Sequence, residues 1–232
     1  MRCFLSLVVV IATASCVAQT GTAGRATLHV TAVDDAGNPV AGARVLAKLD
    51  RAFIPPAPEC RTSADGRCTM TNLDMGRYRI VTSKNVGGYP DTGFDFSNAP
   101  ESSRPFVTFT ADHAEEEIVV PMARRGGVLK PTIVDAETGK PINAEVVLRW
   151  VSNPDIHLSG PWPHFPGPVL AVPAGVAFTM AVSSEGYEPW TYSYSPSTGK
   201  ASNSIARRAS NSIELQPGEE VVLVIRLRPK RQ

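Results

Sequence analysis

The side chains of this 232-residue chain that could do chemistry are mostly aromatic, and they gather in its second half. Trp150, Trp162 and Trp190 are all of its tryptophans. Trp162 shares a proline-rich stretch with His164 and Phe165, while Trp190 is followed at alternate positions by Tyr192 and Tyr194. Flat aromatic faces on loops can stack on sugar rings or enclose a peptide side chain. The same rings can instead cap a core or pack two loops together. Trp162, Trp190, Tyr192 and Tyr194 are therefore the candidate ligand-binding residues, for a protein or a glycan partner.

Catalysis has less to draw on. His157 and His164 share a loop, with Asp155 as the neighbouring carboxylate, and His29 falls on the wet face of an alternating strand with nothing to pair with locally. There is no Gly-x-Ser-x-Gly elbow or phosphate-cradling glycine loop. No nucleophile, base and orienter fall together. The expectation is a non-catalytic protein with no cofactor and no metal. Convergence of His157, His164 and a tyrosine on a metal would overturn it.

The cysteines point to a compartment. Cys60 and Cys68 flank Arg61-Thr62-Ser63-Ala64-Asp65-Gly66-Arg67. Asp-Gly is a turn signal that places the two at similar depth on opposite arms of a hairpin. A bridge there closes a loop of about nine residues, worth about 2–3 kcal/mol on the chain-entropy account, and it needs an oxidising compartment. Seven intervening residues do not match the short cysteine spacing of zinc sites.

Residues 1–18 agree with export. Arg2 precedes the apolar run Phe4 to Ala12, and small residues follow up to Ala18, the plan of a signal peptide. The run is too short to span a bilayer as a mature helix. Two processing routes stand open: cleavage after Ala18, or lipidation at Cys16, because Thr13-Ala14-Ser15-Cys16 resembles a degenerate bacterial lipobox. No other apolar stretch is long enough to anchor the chain, so membrane contact is expected only if Cys16 carries lipid. The 23 basic residues include Arg2, so beyond the leader 22 positive charges face 22 negative ones. A balanced surface has no field to draw nucleic acid. The expected location is the periplasm, the cell surface or the medium.

What would position these residues is a repeated β-unit. Val33-Asp34-Asp35-Ala36-Gly37-Asn38-Pro39-Val40-Ala41-Gly42-Ala43-Arg44-Val45 returns loosely as Val134-Asp135-Ala136-Glu137-Thr138-Gly139-Lys140-Pro141-Ile142-Asn143-Ala144-Glu145-Val146. Asp, Asn, Gly and Pro reverse the chain here, and apolar alternation on both sides marks strands. Aligned on their turns, the copies are one residue out of step, which predicts a bulge or a slipped turn. Pro131 predicts an edge or bulged position. The stretch Ser83 to Pro105, with Tyr89, Phe94 and Phe96, is long for a loop and is expected to cover one end of the unit. Pro121 to Gly127 reads as a short polar linker. No apolar period of 3.6 residues runs long enough for a core helix.

Asn38-Pro39-Val40-Ala41-Gly42-Ala43-Arg44-Val45, Thr62-x-x-Asp65-Gly66, Leu73-x-x-Gly76-x-Tyr78 and Gly88-Tyr89 together resemble the carboxypeptidase regulatory-like domain. The resemblance implies a prealbumin-type β-sandwich of about seven strands, and its motif residues are turns and a core tyrosine rather than reactive groups. Leu170 to Tyr187 resembles the end of the same module, without the tyrosine after the turn glycine, near which Ala177 and Phe178 stand. The expected fold is all-β: an export signal at 1–18, then two tandem immunoglobulin-like or prealbumin-like sandwiches at 25–122 and 126–230. The expected function is an exported binding or spacer module of the bacterial envelope. Carbohydrate binding through the aromatic loops is the alternative.

Overall fold

The computed structural model describes residues 25–50, 57–164, 168–192 and 211–231. The proposed leader, Cys16 and Tyr194 lie outside these residues. The first sandwich is built from β1 (Arg25–Val33), β2 (Arg44–Leu49), β3 (Glu59–Arg61), β4 (Arg67–Asp74), β5 (Gly76–Ser83), β6 (Phe106–Phe109) and β7 (Glu115–Pro121). One sheet has the order β4-β1-β7 and the other β3-β2-β5-β6. The second sandwich comprises β8 (Gly127–Asp135), β9 (Ala144–Trp150), β10 (His157–Trp162), β11 (Leu170–Val172), β12 (Phe178–Ser183), β13 (Trp190–Thr191) and β14 (Glu220–Leu227). Its sheets run β11-β8-β14 and β10-β9-β12-β13. The orders match strand for strand. In both sandwiches the last strand pairs parallel to the first, and the described pairings are otherwise antiparallel. The chain therefore folds as the expected pair of all-β sandwiches.

Alternation builds each core. Leu28, Val30 and Ala32 of β1 point inward with Val45, Ala47, Ile80 and Phe109, all almost wholly buried. Leu129, Ile133, Val146, Leu148, Phe178, Met180 and Ile225 do the same in the second sandwich. Burying each of the larger side chains among these removes enough apolar surface from water to contribute about 1.5–3 kcal/mol. The Tyr78 hydroxyl donates to the carbonyl of Asp74 (3.0 Å), and its ring meets Phe109 edge-on. Phe178 takes this place in the second copy: it pairs with Trp150 as Tyr78 pairs with Leu49.

The out-of-step repeat resolves as a slipped turn. Val33 bridges to Pro39, whereas Val134 bridges to Pro141, one residue further on. The extra residue is recovered before the next strand, so Leu28 and Leu129, like Val45 and Val146, are both 101 residues apart. Each turn is tied by its aspartate. Asp34 Oδ1 accepts the amides of Ala36 and Asn38 (3.0 and 2.8 Å). Asp135 Oδ1 accepts those of Glu137 and Thr138 (2.8 and 2.7 Å), while its Oδ2 accepts the Tyr187 hydroxyl (2.8 Å). Pro131 lies in the central strand β8, but beyond Leu129, where pairing with β11 ends. Its missing N–H faces that vacant side, so it is a local edge position.

Two expectations need correction. Cys60 and Cys68 are bonded, with Cα atoms 6.0 Å apart, but not across a flat hairpin. Cys60 lies on β3 and Cys68 on β4, which belong to different sheets. The Asp65-Gly66 turn carries the chain from one sheet to the other, and the disulfide staples the two layers. The linker is not a polar tether either. Met122 and Ala123 are 4% and 2% exposed, and the Met122 amide donates to Val33 (2.7 Å).

Candidate ligand cleft between the sandwiches

The long stretch after β5 does not simply cover its own sandwich. Phe94 packs against the core of the second one. Asn85 Oδ1 accepts the Ala171 amide (3.2 Å), the Gly126 amide donates to Gly88 (2.7 Å), the Gly218 amide donates to Gly126 (2.9 Å), and Arg125 Nε donates to Gly87 (3.1 Å). These bonds join the sandwiches along the Gly87–Gly88 turn. Beside them opens a cleft of about 650 Å³, lined from the first sandwich by residues between Gly42 and Ser97 and from the second by Leu158, His164 and residues 168–171.

Its walls are charged. Arg44, at the start of β2, grips Glu59 of β3 through Nε (2.7 Å) and Nη2. Arg61 and Lys84 line the same space with no ion pair to a described residue. Asp91 sits on the loop wall and accepts the Gly93 amide (2.7 Å). Burial pushes its carboxyl above the ordinary range, against the pull of that amide, of Lys48 and of Arg44. Leu158, Leu170 and Phe94 add apolar surface. Such a cleft can hold a small polar group between fixed charges, with Arg61 and Lys84 as free donors for an anionic one.

The aromatic residues singled out by sequence do not form one platform. Trp162 is no loop residue: it closes strand β10, opposite Ala144, and is 4% exposed in the second core. With its faces covered it offers no stacking surface for a sugar. Trp190 and Tyr192 do come together, edge-on with ring centres 6.3 Å apart, but both are half-buried against that same core. Trp162 and Trp190 stand on opposite edge strands of one sheet, about 14 Å apart by strand spacing.

The histidines stay dispersed. His157 Nδ1 bonds the Asp155 carbonyl (2.9 Å), whereas His164 lines the cleft. Among the described residues no three His, Cys, Asp or Glu side chains are grouped to hold a metal. His29 does have partners, Thr69 Oγ1 and Glu115 Oε1, each at 3.0 Å. Sequence reasoning missed Arg44, Glu59, Arg61, Lys84 and Asp91. They come from three separate segments, and no local spacing marks them. The length of the Ser83–Pro105 stretch was the one available signal.

Comparison with known proteins adds little on function. A family described as a domain of unknown function, DUF7382, matches residues 14–71, a quarter of the chain. No curated protein matches. Among solved structures, the Bacillus anthracis TIE protein is 15% identical with a TM-score of 0.32, covering 88% of this chain and 34% of its own. A streptococcal ancillary pilin is 15% identical with a TM-score of 0.35, covering 92% and 64%. The shaft pilin SpaA of Lactobacillus rhamnosus GG is 10% identical with a TM-score of 0.32, covering 90% and 99%. The chain thus spans about a third and just under two thirds of the first two. Likeness at these scores carries no argument about this chain.

Proposed function

We propose that this is an exported, non-catalytic protein of the bacterial envelope, related to carboxypeptidase regulatory-like domains, whose two sandwiches form a rigid binding module. The observation that carries the reading is the charged cleft beside a hydrogen-bonded junction. The bonds between Gly88 and Gly126 and between Asn85 and Ala171 hold Arg61 and Lys84 on one side against His164 on the other. A cleft walled by two fixed bodies loses little freedom on binding. The Cys60–Cys68 bond supports an oxidising compartment. The ligand is a small anionic or zwitterionic group, such as a peptide terminus.

Calorimetric titration with acidic and zwitterionic peptides tests this. Arg61→Ala and Lys84→Ala should each weaken the best binder by about tenfold or more, the worth of one charge-assisted hydrogen bond. Equal affinity in both variants would refute the cleft as the site.

A further inference from the structure

Equivalent strands of the two sandwiches differ at their open edges. β7 and β14 each end a three-stranded sheet, so among the described residues each has one side with no strand beside it. On β7, Ala114 accepts the Thr27 amide and the Met122 amide donates to Val33. By alternation, the even positions bond β1, and Glu115, Glu117, Val119 and Pro121 turn their peptide groups to the open side. Acidic side chains and a proline that lacks an N–H guard an edge against pairing.

β14 has no proline, and its charged residues stand only at the two ends, with valines between them. Glu219 accepts the Val128 amide and Leu227 accepts the Ala136 amide, so the odd positions bond β8. Glu220, Val222, Val224 and Arg226 therefore direct their N–H and C=O groups outward, and these groups bond to no described residue on that side. The free stretch ends at Arg228, whose carbonyl accepts the Glu188 amide (2.8 Å). Val222 and Val224 are 66% and 58% exposed.

The four outward residues are self-complementary. Laid antiparallel on a second copy about Leu223, Glu220 falls opposite Arg226 and Val222 opposite Val224. All four positions carry free peptide groups, so each is a hydrogen-bonded pair of an antiparallel ladder. The two ion pairs sit at the ends, with the valines of both copies between them on the outer face. Lys130 engages Glu220 through Oε2, which leaves Oε1 for the arginine. We propose that the chain forms a two-fold symmetric dimer through β14, merging two β11-β8-β14 sheets into one six-stranded sheet, with a second copy of this chain as the occupant of the edge.

Leu223 would lie on the two-fold axis in a non-hydrogen-bonded pair, with a Cα separation of about 4.5 Å, inside the range a disulfide requires. The test uses the purified full chain carrying Cys3→Ser and Cys16→Ser. Leu223→Cys should form a covalent dimer on a non-reducing gel, and Val222→Cys, whose own copy lies diagonally across, should not. In sedimentation velocity, Arg226→Glu should weaken dimerisation by at least about tenfold, since two attractive pairs become repulsive. Glu220→Arg combined with Arg226→Glu should restore it. A monomer at every concentration, with no Leu223→Cys dimer, overturns the proposal and leaves the edge to the segment 193–210 or another partner. A dimer indifferent to Arg226→Glu overturns it as well.

Discussion

Gly126→Ala would separate steric fit from backbone freedom at the junction. A Cβ on Gly126 would stand 1.8 Å from the Val172 carbonyl oxygen and 3.2 Å from the Ala174 amide nitrogen. To reach even 3.0 Å one backbone must retreat by about 1.2 Å, and the atom in the way is main chain. Gly126 does not have a positive φ, so alanine would cost nothing in backbone strain. That retreat pulls on two hydrogen bonds, Gly126 to Gly88 and Gly218 to Gly126. Overpacking of this kind costs about 1–3 kcal/mol, and each bond lost adds about 1 kcal/mol. The sum is about 3–5 kcal/mol, roughly a 10 °C fall in Tm for a chain of this size. Gly139→Ala and Gly175→Ala are the controls: both glycines face open space at φ of +68° and +67°, and alanine there should cost about 1 kcal/mol in strain alone. Calorimetry gives the Tm values, and hydrogen exchange at the Gly126 and Gly218 amides shows whether the damage is at the junction. A Gly126→Ala Tm no lower than the controls, with those amides still protected, would refute the reasoning.

Replacing Cys60 and Cys68 with serine should lower stability by about 2–3 kcal/mol in urea titration, and reductant should reproduce the loss in the parent protein but not in the variant. Acid should act through the two turn aspartates. Hydrogen bonds, chiefly from Asn38 at Asp34 and from Thr138 at Asp135, hold both carboxyls below the ordinary value of 3.8. A lowered folded-state pKa gives stability that is fully present above the unfolded value and lost as pH falls through the folded one, so Asp34→Asn with Asp135→Asn should flatten the melting curve below about pH 4. Asp91 has the opposite sign: burial raises its pKa, so it weakens the fold as pH rises past the unfolded value, and Asp91→Asn should raise the Tm at neutral pH. Trp162→Ala should cost about 3–5 kcal/mol, as loss of a core aromatic does, measured by the same urea titration.

Much of the fold was legible because its physics is local. Leu28, Val30 and Ala32 alternate with polar neighbours, and Asp34 to Asn38 carry their own turn chemistry, so strand and turn can be read without a partner. The second copy was harder. Gly160 and Pro161 disguise β10 as a loop, since neither has strand propensity. The strand survives because β10 is an edge strand, paired among the described residues with β9 alone, and Pro161 faces solvent. The cleft was legible only as the unusual length of the stretch from Ser83 to Pro105. Arg44, Lys84 and His164 line one space only after two sandwiches have folded and docked, and that docking uses main-chain bonds to Gly88 and Gly126 with side-chain bonds from Asn85 and Arg125 that no local spacing marks.

The tryptophans of the second sandwich acquire a different meaning from the register. Ala43 accepts the Thr62 amide in the first copy, and its counterpart Ala144 faces Trp162 in the second. Val45 faces Cys60, whereas Val146 faces Gly160. Where the first sandwich has a small buried threonine beside an inter-sheet disulfide, the second has a glycine and a large buried indole. A disulfide holds two layers by restricting the unfolded chain; an indole holds them by filling the space between with apolar surface. The same end of the same fold is thus closed by covalent restraint in one copy and by packing in the other. That gives Trp162 a structural role in the half that has no cysteine, and it removes Trp162 from the search for a ligand while leaving the junction cleft in it.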